Sequence, residues 1–521
     1  MIALSNLMLN AAGRAVPPER DGAPLVPYQG IGRHRPSGDR AGPKIRTCVD
    51  YPADGDKTVQ GLEEALRRAG LRDGMTVSTH HHLRNGDFLA EQLFAAIKKL
   101  GVRDVVWFPS AVFPCHECLI PYLEDGTIHH IEGSLNGPVG EFASQGRMRS
   151  WAVLRSHGSR YRAVQDGDVR IDLAVIAAPS CDSFGNMNGV HGPAACGGLG
   201  FAHADANYAE HVIAVTDHLV PFPCLPIQIA GNFVDQVVAV ERLGDPSQIV
   251  SGTTEVTRSP ERLFIAELAA RFVARAGVLR NGWSFQAGAG GISLAFTIYL
   301  AEIMRREGIR SSFVRGGSTR HLVQLLEDGL TGAILDGQTF DLEGVRSMRE
   351  NSSHVMTTPF NSYNYHGKGN VASMLDCAVL GATEIDLDFN ANVVTHSDGR
   401  IQHGIGGWQD ALFARCTILA APTFRNRLPV IRDRLTTFCG PGELIDAVVT
   451  ERGIAINPSR QDLIEAVEKS SLPIKSLEEL KAHAERLCGG PPAEPELDEQ
   501  IVGLVTWVDG TILDVLRKVP S

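Results

Sequence analysis

No apolar run in these 521 residues approaches the roughly 20 needed to cross a bilayer, so no membrane-spanning helix and no membrane partner are expected. The opening MIALSNLMLNAAGRAVPPERDG has no cationic region ahead of its short apolar stretch, which argues against a secretory leader. Positive charge is not in excess: 49 Lys and Arg stand against 60 Asp and Glu, for a net charge of -11. A nucleic-acid partner, which calls for a basic face, is therefore excluded. The ten cysteines are scattered, mostly in apolar or glycine-rich strings, and follow no disulfide framework. They read as reduced core residues and point to the cytoplasm. The string PCHEC brings Cys115, His116 and Cys118 together at zinc-like spacing, but no second C-x-x-C completes four ligands, and no metal is expected.

What is present is a globular composition, with 43% hydrophobic and 21% charged residues over a length that implies two to four domains. Residues 1–48, rich in Pro, Gly and Arg, lack a sustained period and read as an extended arm that wraps a neighbour or lies on the surface. Beyond them helical and strand-like stretches alternate: GLEEALRRAG (61–70), MTVST (75–79), FLAEQLFAAIKKLG (88–101), VRDVVWF (102–108). That alternation predicts an α/β fold with largely parallel sheets.

The chain also repeats itself. IDLAVIAAPSCDSFGNMN (171–188) lies over LDCAVLGATEIDLDFNAN (375–392) at an offset of 204, with seven identities: Asp172/Asp376, Ala174/Ala378, Val175/Val379, Ala178/Ala382, Asp182/Asp386, Asn186/Asn390 and Asn188/Asn392. Upstream, residues 74–104 lie over 281–311, with strand, glycine-bearing loop and helix in the same order. Two related modules are expected, 49–255 and 256–521. The polar stretch at 252–260 marks the boundary, and a C-terminal hairpin around Asp509 and Gly510 is placed in the second module. Clefts at the carboxyl ends of parallel strands are where such folds bind ligands.

The strand-to-turn string IDLAVIAAPSCDSFGN resembles the first half of CoA transferases in the superfamily shared with ribose-phosphate and glucosamine-phosphate isomerases. LDCAVLGATEID, SDGRIQHGIGGWQDALFARCTILAAP (397–422) and VVTERGIAINP (448–458) resemble, in order, the second half. The likeness narrows to the citrate lyase alpha-chain family on GLRDGMTVSTHHHLRNGD (70–87), LRSHGSRYRA (154–163), AACGGLGFAHADANYA (194–209), WSFQAGAGGISLA (283–295) and EIDLDFNANV (384–393), and extends from about residue 50 to the end. Trp408 and FNSYNYHGKG (360–369) depart from the family pattern and bear on substrate selectivity.

The resemblance implies two tandem CoA-transferase-like domains and a transferase that exchanges acetate for citrate on a thioester. Its co-substrate would be an acyl-CoA or a phosphopantetheine-type thioester on a carrier protein, with no covalently bound cofactor. Its partners would be a citryl lyase beta subunit and a gamma acyl-carrier subunit in a hetero-oligomer. The alternative is a free-standing CoA transferase for another di- or tricarboxylate such as citramalate.

Such chemistry needs donors for a tetrahedral oxyanion and cations for carboxylates. The backbone amides of Gly288, Gly290 and Gly291 in QAGAGG, and of Gly406 and Gly407 in GIGG, are the oxyanion candidates, although either loop alone equally reads as a strand-to-helix turn. His80, His82, Arg84 and Asn85 are candidates for citrate, while His81 and Asp87 read as a strand-end residue and a helix cap. Ser156, His157 and Arg160 form a second polar loop, with a purely structural turn equally open. Related transferases form an anhydride on a glutamate. Around the comparable place ILDGQTFD offers Asp336 and Gln338 but no glutamate, which fits direct transfer between bound substrates. Glu384 is the nearest alternative nucleophile, against a reading as a hydrogen-bonding carboxylate, and Asp410 is expected to position the GIGG loop.

Overall fold

The computed structural model describes residues 7–45, 51–249, 255–288 and 290–520. Strands such as Leu173–Ala177 and Cys377–Leu380 are buried from end to end, as unbroken apolar runs must be when helices cover both faces of a parallel sheet. Two large sheets result. In chain order the first module supplies Thr76–Thr79, Val105–Pro109, Ile128–Gly133, Ala152–Leu154, Leu173–Ala177, His211–Thr216 and Gln236–Ala239. The second supplies Ser284–Ala287, Phe313–Ser318, Ile334–Thr339, His354–Met356, Cys377–Leu380, Thr417–Ala420 and Ala447–Thr450. Both sets pair in parallel in the spatial order 4-3-2-1-5-6-7. The order reverses between strands 1 and 5, so each sheet opens a crevice there at its carboxyl edge.

The repeat is physical. Asp172 accepts a hydrogen bond from the Thr76 amide and Asp376 one from the Ser284 amide, each tying strand 5 to strand 1. Asp182 gathers the amides of Phe184, Gly185 and Asn186, and Asp386 those of Asp388 and Asn390. Asn186 and Asn390 accept from Gly231 and Gly442, and Asn188 and Asn392 from the amides two and three residues on. These bonds hold matching small sheets, Ser180–Asp182 with Met187–Asn188 and Leu219–Val220, and Glu384–Asp386 with Ala391–Asn392 and Ile431–Arg432. The identities therefore mark turns whose backbone groups need side-chain partners. The upstream overlay is one residue out: pairing with strand 5 sets Val77 against Phe285, an offset of 208 rather than 207. In a strand that slip reverses which face each side chain takes.

The C-terminal hairpin belongs with the other sheet from the one expected. Ile501–Thr506 and Ile512–Arg517 pair antiparallel, and Gly503–Val505 run parallel to Ala152–Leu154, extending the first module's sheet. Their side chains are buried almost throughout, as is Trp507 in the connection between them, and the open edge of Ala152–Leu154 lies within reach of the returning chain. Of the boundary segment, residues 250–254 lie outside the described residues. The arm lies on its own chain. Asn10 donates to the carbonyls of Ile512 and Leu513, Arg14 pairs with Asp514, and the short strands Met8–Leu9 and Ala15–Val16 pair with each other. One hydrophobic core runs from the first module through Leu380, Ile385 and Trp408 to Trp507, so the modules are fused by packing; a second core fills the far side of the second sheet. Among the described residues no helix is long and apolar enough to cross a membrane.

Candidate functional site

A cavity of about 520 Å³ opens where the two crevices meet, and both modules line it. That volume suits a small organic acid together with part of a longer substrate. From the first module come His81, Arg84 and His157, with Phe113 and Phe201; from the second come Gln286, Gly288, Gly290, Gly291, Gly406, Gly407 and Gln338. Predicted positions more than 200 residues apart thus share one site.

The triple histidine divides in an unexpected way. The strand ends at Thr79, so the alternation of faces stops before the histidines. His80, expected to bind substrate, is buried away from the cavity against Asp205 at 2.8 Å, and Arg160 grips the same carboxylate with both terminal nitrogens. Burial alone would raise the Asp205 carboxyl, but Arg160 and His80 hold it well below the usual range. The triad is buried, and neither His80 nor Arg160 lines the cavity. His82 stacks on His80 inside the protein, and burial lowers it to about 3. Half-buried Asn85 also lies outside the lining.

His81, read as a strand-end residue, is the one that faces the cavity. Gln338 donates from Nε2 to the His81 carbonyl, which leaves Oε1 as acceptor for His81 Nε2–H at 3.0 Å. Nδ1 then accepts from the Ser110 hydroxyl at 2.5 Å. Burial holds the ring neutral, well below its ordinary pKa. Gln338 thus joins the modules. Arg84 adopts φ 54°, a conformation uncommon outside glycine, and its guanidinium lies between the rings of Phe113 and Phe340 at 4.6 and 4.8 Å. Burial lowers it to about 10, so it remains a cation at neutral pH.

The second polar loop is an interface. Ser156 caps the helix His157–Asp166 and donates to Asp410, which also accepts from the Gly158 amide at 3.0 Å. The His157 amide donates to the Gly406 carbonyl at 2.7 Å. Asp410 thus bonds a helix start of the other module. Burial raises this carboxyl to about 7 against the pull of those donors. Burial and nearby cations lower His157 to about 3.

Not every glycine amide is available. Gly288 donates to the Val379 carbonyl and Gly406 to the Ser134 hydroxyl, so these two expected oxyanion donors are already committed. Gly290 and Gly291 open the helix Gly291–Glu307, whose first amides have no acceptor within the helix, and neither has one among the described residues. Gly407 lies against Tyr363, whose hydroxyl would stand 2.6 Å from an added Cβ. Glu384, the alternative nucleophile, is fully buried outside the lining, ion-paired with Arg432 and bonded by Thr436 and Asn392. His116 of PCHEC is committed to the Phe113 amide and to Asp87.

Gln286 and Arg315 carried no expectation. Fully buried Arg315 stacks on Tyr363 at 3.9 Å and donates to Gln286 Oε1 at 2.6 Å. Because a guanidinium only donates, Gln286 must present its oxygen to it, which turns its amide N–H groups toward the cavity. Nε and Nη2 of Arg315 have no partner among the described residues. Gln286 adjoins the glycine string, and its position one strand from Arg315 could have drawn notice. The lining contains three arginines, Arg84, Arg262 and Arg425, and no carboxylate among the described residues.

Residues 55–519 match the family model described as citrate lyase, alpha subunit. The citrate lyase alpha chain of Klebsiella pneumoniae is 40% identical over 469 residues, 89% of this chain and 92% of its own length. That of Escherichia coli is 39% identical over 465 residues, covering 89% and 91%. A citrate lyase alpha subunit from Streptococcus mutans, solved in complex with citrate, superposes with a TM-score of 0.93 at 38% identity, covering 98% of this chain and 100% of that one. The malonate decarboxylase alpha subunit of Acinetobacter baumannii superposes at 0.61 with 16% identity, covering 83% and 85%, a likeness that shows the fold alone.

Proposed function

The chain belongs to the citrate lyase alpha-subunit family, and on that footing we propose that it transfers a carrier thioester from acetyl to citrate. A citrate carboxylate attacks the acetyl thioester carbonyl, and collapse of the tetrahedral adduct releases the carrier thiolate and leaves a mixed anhydride. The thiolate then attacks the citryl carbonyl, acetate departs, and a citryl thioester remains for a lyase beta subunit to cleave. The carrier would be the gamma acyl-carrier subunit of the same hetero-oligomer.

The observation that carries this reading is a cavity with three arginines and, among the described residues, no carboxylate in its lining. An anionic acid is attracted there, and among the described residues no acidic side chain lines the cavity to form an enzyme anhydride. Arg84 is positioned to hold a citrate carboxylate, and the first-turn amides of Gly290 and Gly291 to receive the oxyanion of each adduct. Gln286 supplies side-chain donors whose direction Arg315 fixes. His81, neutral and anchored by Ser110 and Gln338, lines the same cavity.

The test is to incubate the purified chain with acetyl-CoA, or with acetylated carrier protein, and citrate, and to follow acetate release and citryl thioester by mass spectrometry. Exchange with citrate well above citramalate and succinate is expected. Preference for citramalate would establish the free-standing transferase reading, and no exchange with any acid would end the proposal.

A further inference from the structure

The second module departs from the internal repeat where its cavity reaches the surface. The offset between the modules is 205 residues at Val212 and Thr417 but 212 at Leu219 and Ile431, so seven extra residues enter between the two strands. They form a small hairpin, Phe424–Arg425 paired with Leu428–Pro429, whose turn residues Asn426 and Arg427 both take positive φ. The first module joins the corresponding strands through Asp217 and His218 alone and has no such hairpin among the described residues. The insertion's effect is to deliver Arg425 to the cavity wall.

Arg262 reaches the same wall from the first turn of the helix Pro260–Arg275. A cation there meets the positive end of the helix dipole, and Arg425 adds a second like charge beside it; burial first, and Arg262 second, lower the Arg425 guanidinium to about 10. Neither guanidinium forms an ion pair among the described residues, including with the neighbouring Glu261. Two unneutralised guanidiniums beside a helix start make a repulsive arrangement that a bound anion would relieve. The wall also grades from buried His81 and Arg84 to exposed Arg262, so this pair marks the outer end.

We propose that Arg262 and Arg425 anchor the phosphate at the outer end of the pantetheine arm that carries the thioester. This rests on the proposed function for the identity of the thioester. A pantetheine arm has an uncharged middle and ends in phosphate whether it belongs to CoA or to a carrier protein. With the phosphate held at the rim, the thioester lies inward toward the Gly290 and Gly291 amides.

Binding of 4′-phosphopantetheine and of pantetheine to the full chain, measured by calorimetry, tests the anchor without requiring turnover. The wild type should bind the phosphorylated form at least ~10-fold more tightly, as a charge-assisted pair warrants. R425Q and R262Q should each erode that ratio and leave pantetheine binding unchanged. Arg262 is exposed, so R262Q reads the effect even if R425Q disturbs folding. Equal wild-type affinity for the two ligands, or a ratio untouched in R262Q, overturns the anchor. Acetyl-CoA and acetylated carrier protein then separate the two sources of the phosphate: kcat/KM should fall in the variants for both, with acetyl-pantetheine spared. Loss of citrate exchange in the wild type itself would instead count against the transfer reaction.

Discussion

Within the site each side chain is defined by what it already bonds. Arg84 carries its charge into the cavity between two aromatic rings, and Arg84→Gln removes that charge while keeping a hydrogen-bonding end. Citrate affinity measured by calorimetry should drop ~10- to 100-fold, the range for a hydrogen bond to a charged group. Glu384 makes the opposite case. Its carboxylate neutralises Arg432 in the interior, and breaking such a pair by removing one charge costs about 3–5 kcal/mol. Glu384→Gln should therefore lower the melting temperature by several degrees and leave kcat per folded molecule unchanged. A collapse of kcat in protein shown to be folded would return Glu384 to the chemistry. The same logic explains why His80 and His82 were misplaced by sequence. Alternation holds only while the chain is a strand, and this one ends at Thr79.

At the level of elements, the helix His157–Asp166 and the GIGG loop hold each other across the module interface. A Cβ on Gly158 would stand 2.2 Å from Asp410 Oδ1 and 2.6 Å from the Tyr363 carbonyl, so Gly158→Ala must push the loop away. Misplacement on that scale costs about 10²-fold in rate, to be seen in exchange assays on protein whose circular dichroism is unchanged. The interface also sets the response to pH. His81, His82 and His157 stay neutral when folded, whereas the unfolded chain protonates them below about pH 6.5, so acid draws stability away as pH falls from there. Asp410 opposes this: folded, it binds its proton near pH 7, and unfolded only near pH 4, so it favours the fold as pH drops between those values. Three histidines outweigh one carboxyl. The melting temperature should fall between pH 6.5 and 5, and more steeply in Asp410→Asn, where the opposing contribution is gone.

At the scale of the whole molecule, the last residues complete the first module. Truncation after Gln500 would strip the edge strand Ala152–Leu154 of its partner and uncover the core packed on Trp507. Open edges recruit other chains, so the truncated protein should aggregate on expression, as followed by sedimentation, rather than persist as a folded chain lacking only its tail. The site is equally a property of the whole: His81 and Gln338 are separated by 257 residues, and Ser156 and Asp410 by 254.

Local grammar and internal likeness were legible in the sequence: parallel strands from unbroken apolar runs, the module pair from seven identities, and the loops that line the cavity from their glycines and polar clusters. The strands, the module pair and the loops that line the cavity depend on neighbouring residues, and each Asp and Asn of the repeat bonds within its own module. Which histidine faces the cavity, which glycine amides stay available, which sheet receives the last hairpin and where Arg315 directs Gln286 were decided only by the tertiary structure. A hydrogen bond can be committed just once, and the competing partners arrive from parts of the chain hundreds of residues apart.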